Sequence, residues 1–271
     1  MKCALISMDP KITEKQKNIE KMKQYINSTE SDIYIFGEMA LTGYWCRDEY
    51  RLLAEDIQGP SLSELQKIAQ KKECALVFGM PLRHKKTKGI IYNASIFIHP
   101  DGTIQHYKKW FLPNFGPFEE KLFFDEGERI EVIHTPFGTI GLLICYDVFF
   151  PELSKAYSLQ SADILIAISA SPSTTRIYFE RVLPARAIEN TAFVLYCNLV
   201  GTQDNLVFWG GSQAYDPFGN QLIKAPYFKE SIVTCELDLD QIELARAHRP
   251  VLRDTRAEIY QDLYEYARFQ E

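Results

Sequence analysis

Along the chain, short unbroken apolar runs alternate with stretches in which apolar residues recur every three or four positions among lysines and glutamates. The first pattern reads as a buried strand and the second as an amphipathic helix. Residues 2–8 (KCALISM) form the first such strand, and 13–28, with Ile19, Met22 and Ile26 at helical spacing, the first such helix. The order recurs in a strand at 33–36, a helix at 62–72 with Leu62, Leu65, Ile68 and Ala69 on one face, and a strand at 75–80. Strands separated by helices predict βαβ units with parallel pairing.

The middle of the chain changes character. Runs at 90–99 and 103–107 flank Pro100-Asp101-Gly102, whose proline and glycine suit a hairpin turn, so antiparallel pairing joins the parallel set. Beyond it the pattern predicts a strand at 139–145, a helix opening at Pro151, a strand at 163–169, a helix through 176–190 and a strand at 192–199. A second hairpin around Asp216-Pro217-Phe218-Gly219-Asn220, a strand at 232–237 and a mostly helical tail at 240–271, broken at Pro250, complete the reading. With no linker, composition break or repeat, one α/β domain over residues 1–271 is expected.

Composition narrows the class. At 46% hydrophobic and 24% charged residues, 271 residues are enough for a large core. Thirty basic against 36 acidic residues give a net charge of −6, and lysine pairs such as Lys85-Lys86 are too short to track a phosphate backbone, which argues against nucleic acid. The apolar start meets Asp9 too early for a signal peptide, and no run approaches the ~18 residues of a membrane helix. The six cysteines lack any C-x-x-C pair, so a reduced, cytoplasmic protein is expected. His84, His99, His106, His134 and His248 show no metal-binding spacing, and Gly210-Gly211-Ser212 lacks the context of a phosphate loop, so no metal or cofactor is expected.

In α/β proteins chemistry sits at the carboxyl ends of strands. Three polar residues stand there: Glu38 after 33–36, Lys109 after the strand ending near Tyr107, and Cys145 after Ile140-Gly141-Leu142-Leu143-Ile144. A carboxylate, an ammonium and a thiol suffice for acyl transfer through a thioester, with the Tyr146 amide as a second oxyanion donor. Taken singly, each also fits a bland role: an inert buried thiol, a partner for a helix terminus, a solvated lysine.

Phe36-Gly37-Glu38-Met39-Ala40-Leu41-Thr42-Gly43-Tyr44, Tyr107-Lys108-Lys109-Trp110-Phe111-Leu112-Pro113 and Gly141 to Glu152 (GLLICYDVFFPE) resemble, in order, the three signatures of the nitrilase superfamily of carbon-nitrogen hydrolases. The resemblance spans nearly the whole chain. It implies a four-layer α-β-β-α sandwich, no cofactor, and a triad of Glu38 as general base, Lys109 as oxyanion stabiliser and Cys145 as nucleophile. A second glutamate that orients the lysine matches Glu120, with adjacent Glu119 as the alternative. Trp45, Phe118, Phe149 and Trp209 lie in or beside segments resembling the pocket-forming loops. Family members usually form dimers or larger oligomers, and the aromatic-rich segment 258–269 predicts that the tail (about 240–271) packs at a homo-oligomer interface, with packing on its own domain as the alternative.

Cys145-Tyr146-Asp147 looks like the amidase and carbamoylase branches rather than true nitrilases. An amide or ureido substrate is therefore expected, hydrolysed with release of ammonia. Relatives often carry an arginine where this chain has Phe149, which points away from an α-carboxylate substrate unless Arg176 or Arg181 supplies the cation. The stretch 198–208 also looks like the glutaminase domain of glutamine-dependent NAD synthetases. The alternatives are carbamoylase chemistry, yielding amine, carbon dioxide and ammonia, or a non-hydrolytic subunit that binds a partner or feeds it ammonia.

Overall fold

A computed structural model describes residues 1–269; the last two residues of the expected 240–271 tail lie outside the described residues. In chain order the elements are β1 (Lys2–Ser7), α1 (Lys15–Ser28), β2 (Ile33–Phe36), α2 (Tyr50–Leu53), α3 (Pro60–Lys72), β3 (Ala75–Arg83), β4 (Ile91–Ile98), β5 (Ile104–Lys108), β6 (Ile133–Thr135) and β7 (Gly138–Ile144). There follow α4 (Pro151–Leu159), β8 (Ile164–Ser169), α5 (Arg176–Asn190), β9 (Phe193–Asn198), β10 (Val200–Gln203), β11 (Leu206–Trp209), β12 (Gln213–Tyr215), β13 (Gln221–Lys224), β14 (Ser231–Glu236), α6 (Asp240–His248) and α7 (Ala257–Arg268).

The strands form two six-stranded sheets, ordered β14-β1-β2-β3-β4-β5 and β13-β12-β9-β8-β7-β6. In each, three parallel strands (β1-β2-β3 and β9-β8-β7) are flanked by antiparallel ones. Strand alternation explains the unbroken apolar runs. Cys3 and Leu5 of β1 and Ile33 and Ile35 of β2 face the second sheet, while Ala4, Ile6, Tyr34 and Phe36 pack against Ile19 and Met22 of α1 and Leu65 of α3. On the other sheet Gly141 faces α4 so closely that a Cβ there would lie 2.6 Å from the Tyr157 ring. Helices therefore cover both outer faces, giving the α-β-β-α sandwich expected.

The hairpin reading at Pro100-Asp101-Gly102 corresponds to β4 and β5, with Gly102 at φ +88°. The hairpin β10–β11, for which the sequence pattern predicts no strands, has a two-residue turn that places Asp204 at φ +52°. The tail divides into α6 and α7 around Pro250. Ile259, Leu263, Tyr264 and Tyr266 of α7 are exposed. Among the described residues no helix is long and apolar enough to cross a membrane.

Candidate active site

Glu38 leaves the end of β2 in a tight layer of backbone. Its N–H donates to the Ser169 carbonyl at the end of β8 (3.2 Å), and its Oε2 accepts from the Ala170 N–H (2.8 Å), tying the two sheets together at this point. Two glycines make room: a Cβ on Gly37 would lie 2.7 Å from Leu199, and one on Gly79 would lie 2.3 Å from the Met39 nitrogen. Met39 itself sits at φ +54°, a left-handed conformation.

Lys109 follows β5 and is fully buried. Its Nζ donates to Glu38 Oε1 and Glu120 Oε1, both at 2.8 Å. Burial works against its charge, but the pull of Glu120 and Glu38 prevails and holds its pKa above the ordinary lysine value. Glu120 is buried and Glu119 exposed, so the structure places Glu120 and not its neighbour against the lysine. Burial, with added repulsion from Glu38, pushes the Glu120 carboxyl up to about 7 against the opposing pull of Lys109.

Two partners of this cluster went unremarked in the sequence. Asn93, in the middle of β4, donates through Nδ2 to Glu38 Oε1 (2.7 Å) and Glu120 Oε2 (3.3 Å), and its carbonyl accepts from the Lys109 N–H (2.8 Å). The Tyr44 hydroxyl donates to Glu120 Oε1 (2.7 Å).

Cys145 opens a short 3-10 turn directly after β7, at φ +48°. A non-glycine residue there costs about 1–3 kcal/mol. Asp147 supports the turn: its Oδ2 accepts from the Ile144 N–H (3.0 Å) and the Tyr107 hydroxyl (2.8 Å), and its Oδ1 from the Phe111 N–H (3.0 Å). Burial, partly offset by Lys109 and these donors, pushes the Asp147 carboxyl up to about 6. Burial and then the Glu38 charge push the Cys145 thiol well up, against the pull of Lys109. The Cys145 thiol thus lies within the fields of both Glu38 and Lys109.

Cys145 forms part of the wall of a cavity of about 310 Å³, with Phe115, Phe118, Tyr146, Phe149, Tyr178 and Phe179 among its neighbours. Phe118 and Phe149 stand where a pocket residue is expected; Phe149 meets Phe179 edge to face at 4.9 Å. The two tryptophans stand elsewhere. Trp45 lines a separate small cleft behind Glu120, where its N–H and that of Tyr44 donate to Gln203 Oε1 (3.1 and 2.8 Å) and pin this turn to β10. Trp209 is fully buried beside Tyr196 and donates through Nε1 to Ser171 Oγ (3.1 Å), so it supports a wall residue from behind. Among the described residues no group of three or more His, Cys, Asp or Glu side chains is arranged to hold a metal ion.

Comparison with known proteins agrees with this geometry. The chain is 28% identical to a protein named Probable nitrilase from Schizosaccharomyces pombe, over 96% of this chain and 97% of that one. It is 33% identical to an (R)-stereoselective amidase of a Pseudomonas species, over 84% and 80%. The crystal structure of a carbon-nitrogen hydrolase from Helicobacter pylori superposes with a TM-score of 0.89 at 26% identity, covering 97% of this chain and 98% of that one. Residues 2–247 match the family model for Carbon-nitrogen hydrolase, and with two sheets that bring a thiol, a lysine and two carboxylates together, the chain belongs to the carbon-nitrogen hydrolases of the nitrilase superfamily.

Proposed function

We propose that the enzyme hydrolyses a neutral carboxamide with an apolar acyl group to the carboxylic acid and ammonia, through a thioester on Cys145. The observation that carries this reading is the buried Lys109, held between Glu38 and Glu120 and within electrostatic reach of Cys145, which itself lines a cavity whose walls bear no charged side chain among the described residues. As the Cys145 sulfur attacks the amide carbon, Glu38 takes the thiol proton. Two of the three Lys109 N–H groups are committed to carboxylates, which leaves one for the developing oxyanion. The Tyr146 N–H, in the first turn of its short helix and lacking an intrahelical acceptor, is the second donor. Glu38 then gives its proton to the departing ammonia, deprotonates the water that opens the thioester, and returns that proton to the released Cys145 sulfur. Glu120, Asn93 and Tyr44 orient Lys109 and Glu38.

An amide is favoured over a nitrile by Cys145-Tyr146-Asp147. Cavity composition argues against charged substrates. Phe149 occupies the wall, Arg176 packs over the Tyr227 ring at 4.7 Å, and Arg181 is exposed outside the cavity. The test is a panel of aliphatic and aromatic carboxamides, the matching nitriles, carbamoyl amino acids and carbamoyl amines, assayed for ammonia and carbon dioxide. Ammonia from the apolar amides without carbon dioxide is expected. Turnover confined to ureido compounds, or a preference for substrates bearing a carboxylate, would overturn the reading.

A further inference from the structure

We propose that Cys3 and Cys235 form a reversible cross-strand disulfide that staples β14 to β1 when the protein meets a low-molecular-weight disulfide. The two residues are paired in register on adjacent antiparallel strands. Met1 and Leu237 exchange both backbone hydrogen bonds (Met1 N to Leu237 O 3.1 Å, Leu237 N to Met1 O 2.8 Å). Stepping two residues along each strand puts Cys3 and Cys235 in the same hydrogen-bonded class of pair, where the Cα atoms are ~5.5 Å apart. A disulfide needs roughly 4.4–6.8 Å. Both side chains lie on the same face, Cys3 within the core between the sheets and Cys235 packed against it. The neighbouring Cys235 sulfur, together with burial, holds the Cys3 thiol well above its ordinary pKa, while Cys3 draws that of Cys235 down.

Access differs between the partners. Cys3 is fully buried, whereas Cys235 is partly exposed on β14, the outermost strand of its sheet. Cys235 is therefore the attacking thiol. Its thiolate attacks one sulfur of the external disulfide, forms a mixed disulfide and releases one thiol. Cys3 then loses its proton and attacks the Cys235 sulfur, releasing the second thiol. Two protein thiols are oxidised and one external disulfide is reduced to two thiols. The staple joins the first strand of the chain to the strand that carries it from β13 of the second sheet back to the first, just before α6.

The test treats the purified, reduced full chain with glutathione disulfide and follows intact mass, tryptic peptides and thermal midpoint. The expected product is two mass units lighter and yields a peptide linking residues 3–11 to 230–246. It melts higher than the reduced protein and reverts with dithiothreitol. Cys3→Ala should stop at a glutathione adduct on Cys235, and Cys235→Ala should give no link. Glutathione retained on Cys235 of the unsubstituted chain without the 3–11/230–246 link would overturn the proposal, as would no reaction at Cys235 under conditions that modify Cys145.

Discussion

Replacing Lys109 by methionine tests the charge arrangement at the centre of the site. At an effective dielectric of ~20, each of its 2.8 Å contacts to Glu38 and Glu120 has a gross attraction of about 6 kcal/mol, most of it offset by the cost of burying the ions. Removing one partner of such a buried cluster costs about 3–5 kcal/mol, because the charges left behind lose their compensation. The lower end is expected: Glu38 keeps the Asn93 amide and the Ala170 N–H, and Glu120 keeps the Tyr44 hydroxyl. Two carboxylates without their cation will hold one proton between them, so their folded pKa rises above the unfolded value. Stability is then lost as pH rises through that interval, and the deficit in Lys109→Met should be larger at pH 8 than at pH 5. Urea denaturation of both proteins at the two pH values measures it. Adding Glu120→Gln, which removes one orphaned charge, should recover part of the loss. A deficit below about 1 kcal/mol, or one independent of pH, would refute the reasoning, since a buried ion cluster cannot be broken so cheaply. Amide turnover should fall by ~10²–10³-fold or more, as for loss of an oxyanion donor.

Gly79→Ala places a methyl 2.3 Å from the Met39 nitrogen and 2.7 Å from Glu38 Cα; kcat should drop at least tenfold alongside a stability cost of about 1–3 kcal/mol, read by turnover and denaturation. Asn93→Ala removes a donor to both carboxylates, so the acid limb of the kcat/KM profile should move to higher pH; an unmoved limb would assign Asn93 a purely structural role. Phe149→Arg should raise the relative specificity constant for carboxylate-bearing amides by roughly ten- to a hundredfold, for ~1.5–3 kcal/mol of charge-assisted pairing, with melting temperature measured beside it. Deleting residues 257–271, which carry the exposed Ile259, Leu263, Tyr264 and Tyr266, should reduce the mass in light scattering if α7 joins subunits; a full-length monomer would refute that role.

The layers were legible because burial on two faces leaves an unmistakable apolar run, as in β1, β2 and β8. Glu38 and Cys145 were legible as polar residues standing at the ends of such runs, whereas Lys109 follows the mostly polar β5 and was legible through the motif Tyr107 to Pro113. Asn93 was not, because it sits inside β4 with apolar neighbours, where position alone cannot distinguish a buried amide with a task from a tolerated one. Asp147 was hidden similarly: its partners Tyr107 and Phe111 are distant in sequence and meet it only when the sheets stack. Trp45 and Trp209 show the converse problem, since aromatic residues near pocket loops reveal nothing about which cleft they enter. The β10–β11 hairpin was hidden because its turn Asp204-Asn205 lacks glycine and Val200-Gly201-Thr202-Gln203 before it is not an apolar run.

Glu38, Asn93 and Lys109 all belong to one sheet, and Cys145 to the other. The proposed reactive centre is thus a seam, and neither half of the sandwich possesses it alone. Its sulfur-to-carboxylate spacing is set by interlayer distance, fixed locally by Glu38 N–H on Ser169 and by Tyr107 and Phe111 on Asp147. A substitution that lets the layers slide by a fraction of an ångström would silence turnover well before it lowers the melting point. Catalytic rate is consequently the finer gauge of how these two sheets are registered, and a screen for activity in this protein doubles as a screen for interlayer alignment.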